Sequence, residues 1–128
     1  MQFDHAGIAT TDATERAEQF SELLDAPIVH EESFDRMEFV FLSVGDGYFE
    51  LVGPVEDDSP IAEHLNEDGP GVHHLALETN DIAAAIEHAR ETGIEPIDEE
   101  PRPGAWGHEI AFLNPNDTGG VLIEFVEQ

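Results

Sequence analysis

The chain has no lysine and no cysteine. Its entire basic complement is four arginines, Arg16, Arg36, Arg90 and Arg102, set against 30 acidic residues. Without cysteine there is neither a disulfide framework nor a thiolate metal site. Without a basic patch there is nothing to meet phosphates, so no nucleic-acid partner is expected. No apolar run approaches the roughly 18 residues of a transmembrane helix, so no membrane partner is expected either. The opening MQFDHAGIAT has no basic stretch followed by an apolar one, so no signal peptide is expected and the cytoplasm is the default location.

What is present is acid. The formal net charge is −26 over 128 residues. A folded monomer of this mass exposes roughly 6,700 Å², about one net negative charge per 260 Å². At low ionic strength such a surface repels itself. At molar salt the Debye length falls to about 3 Å and the repulsion is screened. High acidity can also mean disorder, but 40% hydrophobic content with clear periodicity argues for a packed fold. The composition points to a halophile with a very salty cytoplasm. The length suits one domain.

The sequence is written twice. At an offset of 69, His5 falls on His74, Thr10 on Thr79, Asp12 on Asp81, Pro27 on Pro96 and Glu31 on Glu100. Each half reads as strand, helix, then three strands. In the first, FDHAGIAT is a strand and Asp12 caps a helix, with Glu15 completing a capping box. Ala13, Ala17, Phe20 and Leu24 form its apolar stripe. Strands follow near 27–32, 36–44 and 47–53, the last two joined at a Gly-Asp-Gly hairpin signal. In the second half VHHLALET is the strand, Asp81 is the cap, and strands are expected near 94–98, 108–113 and 120–126. Between the halves, Pro60 suits the first turn of a short helix that Gly69 ends. The predicted class is α+β: two tandem βαβββ modules, about 1–56 and 71–128 with a bridge over 57–70, forming one curved mixed sheet around a metal cleft.

Period two assigns faces along a strand. His5 shares a face with Phe3 and Gly7, and Glu50 with Tyr48 and Val52. His74 shares one with Val72 and Ala76, and Glu124 with Leu122 and Val126. Each is a lone polar residue among apolar neighbours, on a strand whose other face is also largely apolar. A buried carboxylate needs a partner. Taken singly, each could be an isolated polar residue satisfied by hydrogen bonds. Taken together, His5, Glu50, His74 and Glu124 hold matching places in a repeat and suit a divalent ion such as Co, Ni, Zn, Mn or Fe. His73 points the other way from His74, towards the helix layer, and is expected to pack or hydrogen-bond locally.

These residues resemble the vicinal oxygen chelate superfamily, whose fold is the paired βαβββ module, and within it the methylmalonyl-CoA epimerases. Four stretches carry the resemblance: FDHAGIAT, EDDSPIAEHLNEDGPGVHHLAL, DEEPRPGAWG and IAFLNPNDTGGVLIEFV. The resemblance implies interconversion of (2R)- and (2S)-methylmalonyl-CoA in propionate metabolism, by proton abstraction at C2 through a metal-stabilised enolate. It implies a homodimer and a divalent metal, cobalt first, with nickel, zinc, manganese or magnesium as alternatives. Glu124 or Glu50 would move the proton on one face. Some epimerases carry a second acid/base on the third strand of module one. Here Phe39 holds that position, and the adjacent Glu38 points the other way unless a bulge shifts the register.

The loop PRPGAWG reads either as an ordinary hairpin turn carrying a surface tryptophan or, by the resemblance, as a substrate loop, with Arg102, Gly104, Trp106 and Gly107 as contacts. Coenzyme A is a polyanion, as this protein is. Either the arginines gather near the cleft mouth, or salt screens the repulsion. The alternatives are a glyoxalase I-like lyase or isomerase acting on a thiol adduct, and a metal-free binding member of the superfamily.

Overall fold

The computed structural model describes all 128 residues. Residues 5–73 form one compact unit, and residues 1–4 with 74–128 form a second.

The chain opens with strand β1, Gln2–Ala9, and turns at Asp12 into helix α1, Ala13–Leu24. The Asp12 carboxylate accepts from the Glu15 backbone N–H at 3.0 Å, satisfying one of the donors a helix start leaves open. Asp25, at φ 51°, ends the helix in the left-handed region. Strands β2 (Ile28–Phe34), β3 (Met37–Val44) and β4 (Gly47–Pro54) follow. In this unit the strand order is β2-β3-β4-β1, with β4 and β1 parallel. Ala13 and Ala17 of α1 pack on Val40, Leu42 and Leu51, with Ile8 and Phe20 against them. Ile8 pairs with Leu51 and Leu51 with Val40, while Glu50 pairs with Gly7 and Phe41, so the helix covers one face and the polar pair lies on the other. Leu24 departs from the expected stripe. It sits in the last turn, where Asp25 redirects the chain, and is exposed.

The bridge forms helix α2, Pro60–Asp68. The Ser59 hydroxyl accepts from the Ala62 N–H at 3.2 Å, and Pro60 occupies the first turn, where its missing N–H costs nothing.

The second unit repeats the plan. Strand β5, Gly71–Glu78, leads through the Asp81 cap into helix α3, Ile82–Glu91, and on to β6 (Arg102–Pro103), β7 (Glu109–Phe112) and β8 (Ile123–Glu127). The order here is β5-β8-β7-β6. Ile82, Ile86 and Ala89 pack on Ala111, Leu113 and Phe125. The strand expected near 94–98 does not form. A single bridge joins Pro96 to Leu113, and the strand proper is the two-residue β6 further on. Pro96, Pro101 and Pro103 lack the N–H a ladder needs, so this edge stays short. Asp4 belongs to this unit, its carboxylate accepting from the Gln128 amide at 2.7 Å.

Candidate metal and active site

Each unit builds the same group of three residues. In residues 5–73, β1 and β4 run parallel with His5 opposite Tyr48 and Gly7 opposite Glu50. His5 Nε2 lies 3.5 Å from Glu50 Oε2, with side-chain exposures of 5% and 6%. Phe41, the cross-strand partner of Glu50, sets its ring edge-on to His5, centroids 5.9 Å apart at 81°. In the second unit, Ala76 of β5 is opposite Glu124 of β8. His74 Nε2 lies 3.6 Å from Glu124 Oε1. Phe112, the partner of Glu124, meets His74 edge-on at 5.5 Å and 89°.

A buried carboxylate is costly to keep charged, and each unit buries one beside an imidazole. The separations of 3.5 and 3.6 Å exceed the ~2.7–2.9 Å of a charge-assisted hydrogen bond. They are close to the roughly 3.0–3.4 Å between two donors that each bond one ion at about 2.1 Å. Imidazole nitrogen and carboxylate oxygen are also the donors a divalent first-row ion takes. The donor set fits a metal.

The adjacent histidines divide as period two requires. His74 is buried. His73 stands with its ring 4.5 Å from that of His64 on α2, at 88°, and His64 in turn pairs with Asp68 at 3.5 Å.

The third-strand position is also settled in its register. Phe39 is opposite Val52, and Phe41 opposite Glu50, so both phenylalanines share the face of Glu50. No bulge brings Glu38 round. Its carboxylate accepts from the Thr14 hydroxyl of α1 at 2.6 Å, on the helix side.

Sequence reasoning missed a further polar pair on the site face. On β2, His30 is opposite Phe41 and Glu32 opposite Phe39. His30 Nε2 and Glu32 Oε1 lie 2.7 Å apart. A bulge between Ile28 and His30 sets this register, and alternation alone does not reveal it.

In the 101–107 loop, Arg102 is opposite Ile110, on the face of Val126 and Glu124. Its guanidinium donates to Asp98 at 2.9 Å and lies 5.6 Å from the Phe112 centroid. Trp106, at φ 64°, stacks on His108 at 5.8 Å. A Cβ on Gly104 would come within 2.7 Å of Ile110 Cγ2, so the close approach needs glycine. Gly107 takes φ 69°. The other arginines have local partners. Arg36 pairs with Asp58 at 3.1 Å, Arg90 pairs with Glu87 at 2.9 Å, and Arg16 bonds Gln19.

A matched pair of βαβββ modules, each carrying a buried His–Glu pair on the face away from its helix, defines a class. The chain belongs to the glyoxalase/bleomycin resistance protein/dioxygenase superfamily, whose family model matches residues 4–112, and its fold is that of the vicinal oxygen chelates. Several of its relatives are named as epimerases. The ethylmalonyl-CoA/methylmalonyl-CoA epimerase of Cereibacter sphaeroides is 32% identical over 127 residues, covering 96% of this chain and 95% of that protein. The mitochondrial methylmalonyl-CoA epimerase of Homo sapiens is 32% identical over 126 residues, covering 96% of this chain and 72% of that protein. A solved methylmalonyl-CoA epimerase, in complex with methylmalonyl-CoA and ammonium, superposes with a TM-score of 0.93 at 32% identity, covering 99% of this chain and 94% of that one.

Proposed function

We propose that this chain interconverts (2R)- and (2S)-methylmalonyl-CoA by removing and returning the proton at C2. The observation that carries the reading is the buried His–Glu pair built twice on equivalent strands. The full-length likeness to epimerases supplies the substrate class.

His5, Glu50, His74 and Glu124 would hold one divalent ion, cobalt first, with nickel, zinc, manganese or magnesium as alternatives. His5, His74 and Glu124 are all buried donors of the kinds such an ion takes. When bound, the ion supplies Lewis-acid stabilisation of the charge that develops on the thioester oxygen. Glu124, or Glu50, takes the C2 proton on one face as general base. Arg102 meets a negative group of the substrate, with Gly104, Trp106 and Gly107 shaping the loop beside it. With four arginines against 30 acidic residues, the acidic surface meets a polyanionic substrate only where salt screens the field. The protein therefore works in a halophile's salty cytoplasm, in propionate metabolism. No helix is long and apolar enough to cross a membrane. A homodimer is supported by Phe3 and Val72, repeat-related apolar residues that stand exposed.

The test follows the stereochemistry. Pure (2S)-methylmalonyl-CoA incubated with the protein in molar KCl and Co²⁺ should yield the (2R) epimer, and a chelator should stop it. Folded, metal-loaded protein that leaves the (2S) epimer unchanged would move the reading to a glyoxalase-type thiol adduct.

A further inference from the structure

Epimerisation needs proton transfer on two opposite faces of one carbon, and the Glu124 or Glu50 step serves one. We infer that Glu32, held by His30 on strand β2, is the acid/base that serves the other. The inference rests on the epimerase reading and deepens it.

Residues 5–73 carry several carboxylates on β2, β3 and β4, and strand register sorts them. Glu38 faces the helix and is bonded to Thr14 at 2.6 Å. Glu31 has the opposite parity to Glu32 and is exposed. Glu50 shares the site face but is already placed beside His5 in the proposed metal site and is a candidate for the first step, so it does not supply the second. Glu32 shares that face too, because it is opposite Phe39, which lies two residues from Phe41, the cross-strand partner of Glu50. Its carboxylate meets His30 Nε2 at 2.7 Å. The His30 ring is 5.9 Å from Phe41, and Phe41 is 5.9 Å from His5. One phenyl ring therefore touches both the proposed metal ligand and the histidine that orients Glu32. With side-chain exposures of 27% for His30 and 24% for Glu32, the pair is half-buried. That is dry enough to direct a proton and open enough to exchange it with water.

The proton bookkeeping closes. The first carboxylate takes the C2 proton, and the C–H electron pair passes into the thioester enolate. The Glu32–His30 pair, holding one proton between carboxylate and imidazole, delivers it through Glu32 to the opposite face of C2, and the enolate pair forms the new C–H bond. The first carboxylate then returns its proton to water and Glu32 regains one, restoring the starting state.

The experiment compares inversion with exchange. Each epimer is incubated separately in D₂O, molar KCl and Co²⁺ with wild-type protein, Glu32→Gln and Glu31→Gln. We expect Glu32→Gln to lose about 100-fold or more of the inversion rate, while one epimer still trades its C2 proton for deuterium without inverting. Glu31→Gln should match wild type, and Glu32→Asp should recover part of the inversion. Inversion by Glu32→Gln within a few-fold of wild type would overturn the inference. So would equal loss of exchange from both epimers in a folded variant, since that is a structural effect. Wild-type protein that exchanges neither epimer would be a different failure: it removes the epimerase reading, and the assignment of Glu32 falls with it.

Discussion

Metal binding should appear as stability, by an amount the structure lets us work out. The ion of the proposed site binds the folded chain and not, as a complete donor set, the unfolded one. With free ion at 100 times its dissociation constant, the linkage contributes about 2.7 kcal/mol. At about 2.1 cal/mol/K per residue, a chain of 128 residues unfolds with an entropy of roughly 0.27 kcal/mol/K. The midpoint should therefore rise by about 10 °C. The measurement is calorimetric unfolding in molar KCl, with Co²⁺ and with EDTA, for wild type and for Glu124→Gln. The variant keeps the shape of the side chain and removes its charge. We expect the Co²⁺ shift to shrink to a few degrees or less, while in EDTA the variant is no less stable than wild type. A site that gathers buried charge for function costs stability when empty. An equal Co²⁺ shift in both proteins would refute the reasoning, because it would place the ion on the general acidic surface.

Further outcomes follow from single contacts. Gly104→Ala drives a Cβ to 2.7 Å of the Ile110 side chain; forced shifts of this kind cost about 1–3 kcal/mol, to be read as a lower midpoint in denaturant. Arg102→Ala should raise KM for the acyl-CoA about tenfold or more with little change in kcat, since one charged contact is worth roughly 1.5–3 kcal/mol; an unchanged KM would remove Arg102 from substrate binding. Glu38→Gln should leave epimerisation within about twofold, because the side chain is engaged with Thr14 on the helix side; a loss on the scale of general acid–base catalysis, about 100-fold, would mean the register is misread. KM should fall as KCl rises towards molar, as screening shortens the range of repulsion from about 10 Å to about 3 Å; a KM that climbs steadily from low salt in folded protein would contradict this.

Much of this architecture is written in local patterns. The offset of 69 between His5 and His74 is visible because both units use the same cap chemistry, with Asp12 and Asp81 each binding an N–H in the first turn. Period two separates His73 from His74 and places Glu50 and Glu124 opposite the helices, because a strand with one face buried under a helix leaves no freedom of register. The face of Glu38 follows from the same rule. What the sequence hides is what depends on irregularity or on distance. The β2 bulge decides which face His30 and Glu32 take, and in a chain with 30 acids one more glutamate is not a signal. The edge-on contacts of Phe41 and Phe112 on the two histidines join strands that are not adjacent in the sequence. The expected strand at 94–98 is reduced to one bridge at Pro96, because the prolines of this edge supply no N–H to a ladder.

The most direct test of the central claim is proton exchange at C2. Methylmalonyl-CoA is placed with the protein in D₂O and molar KCl, with Co²⁺ or with EDTA, and loss of the C2 proton is followed by NMR. The account predicts rapid exchange with the ion and little without it. A persistent C2 proton signal from folded, metal-loaded protein would contradict it.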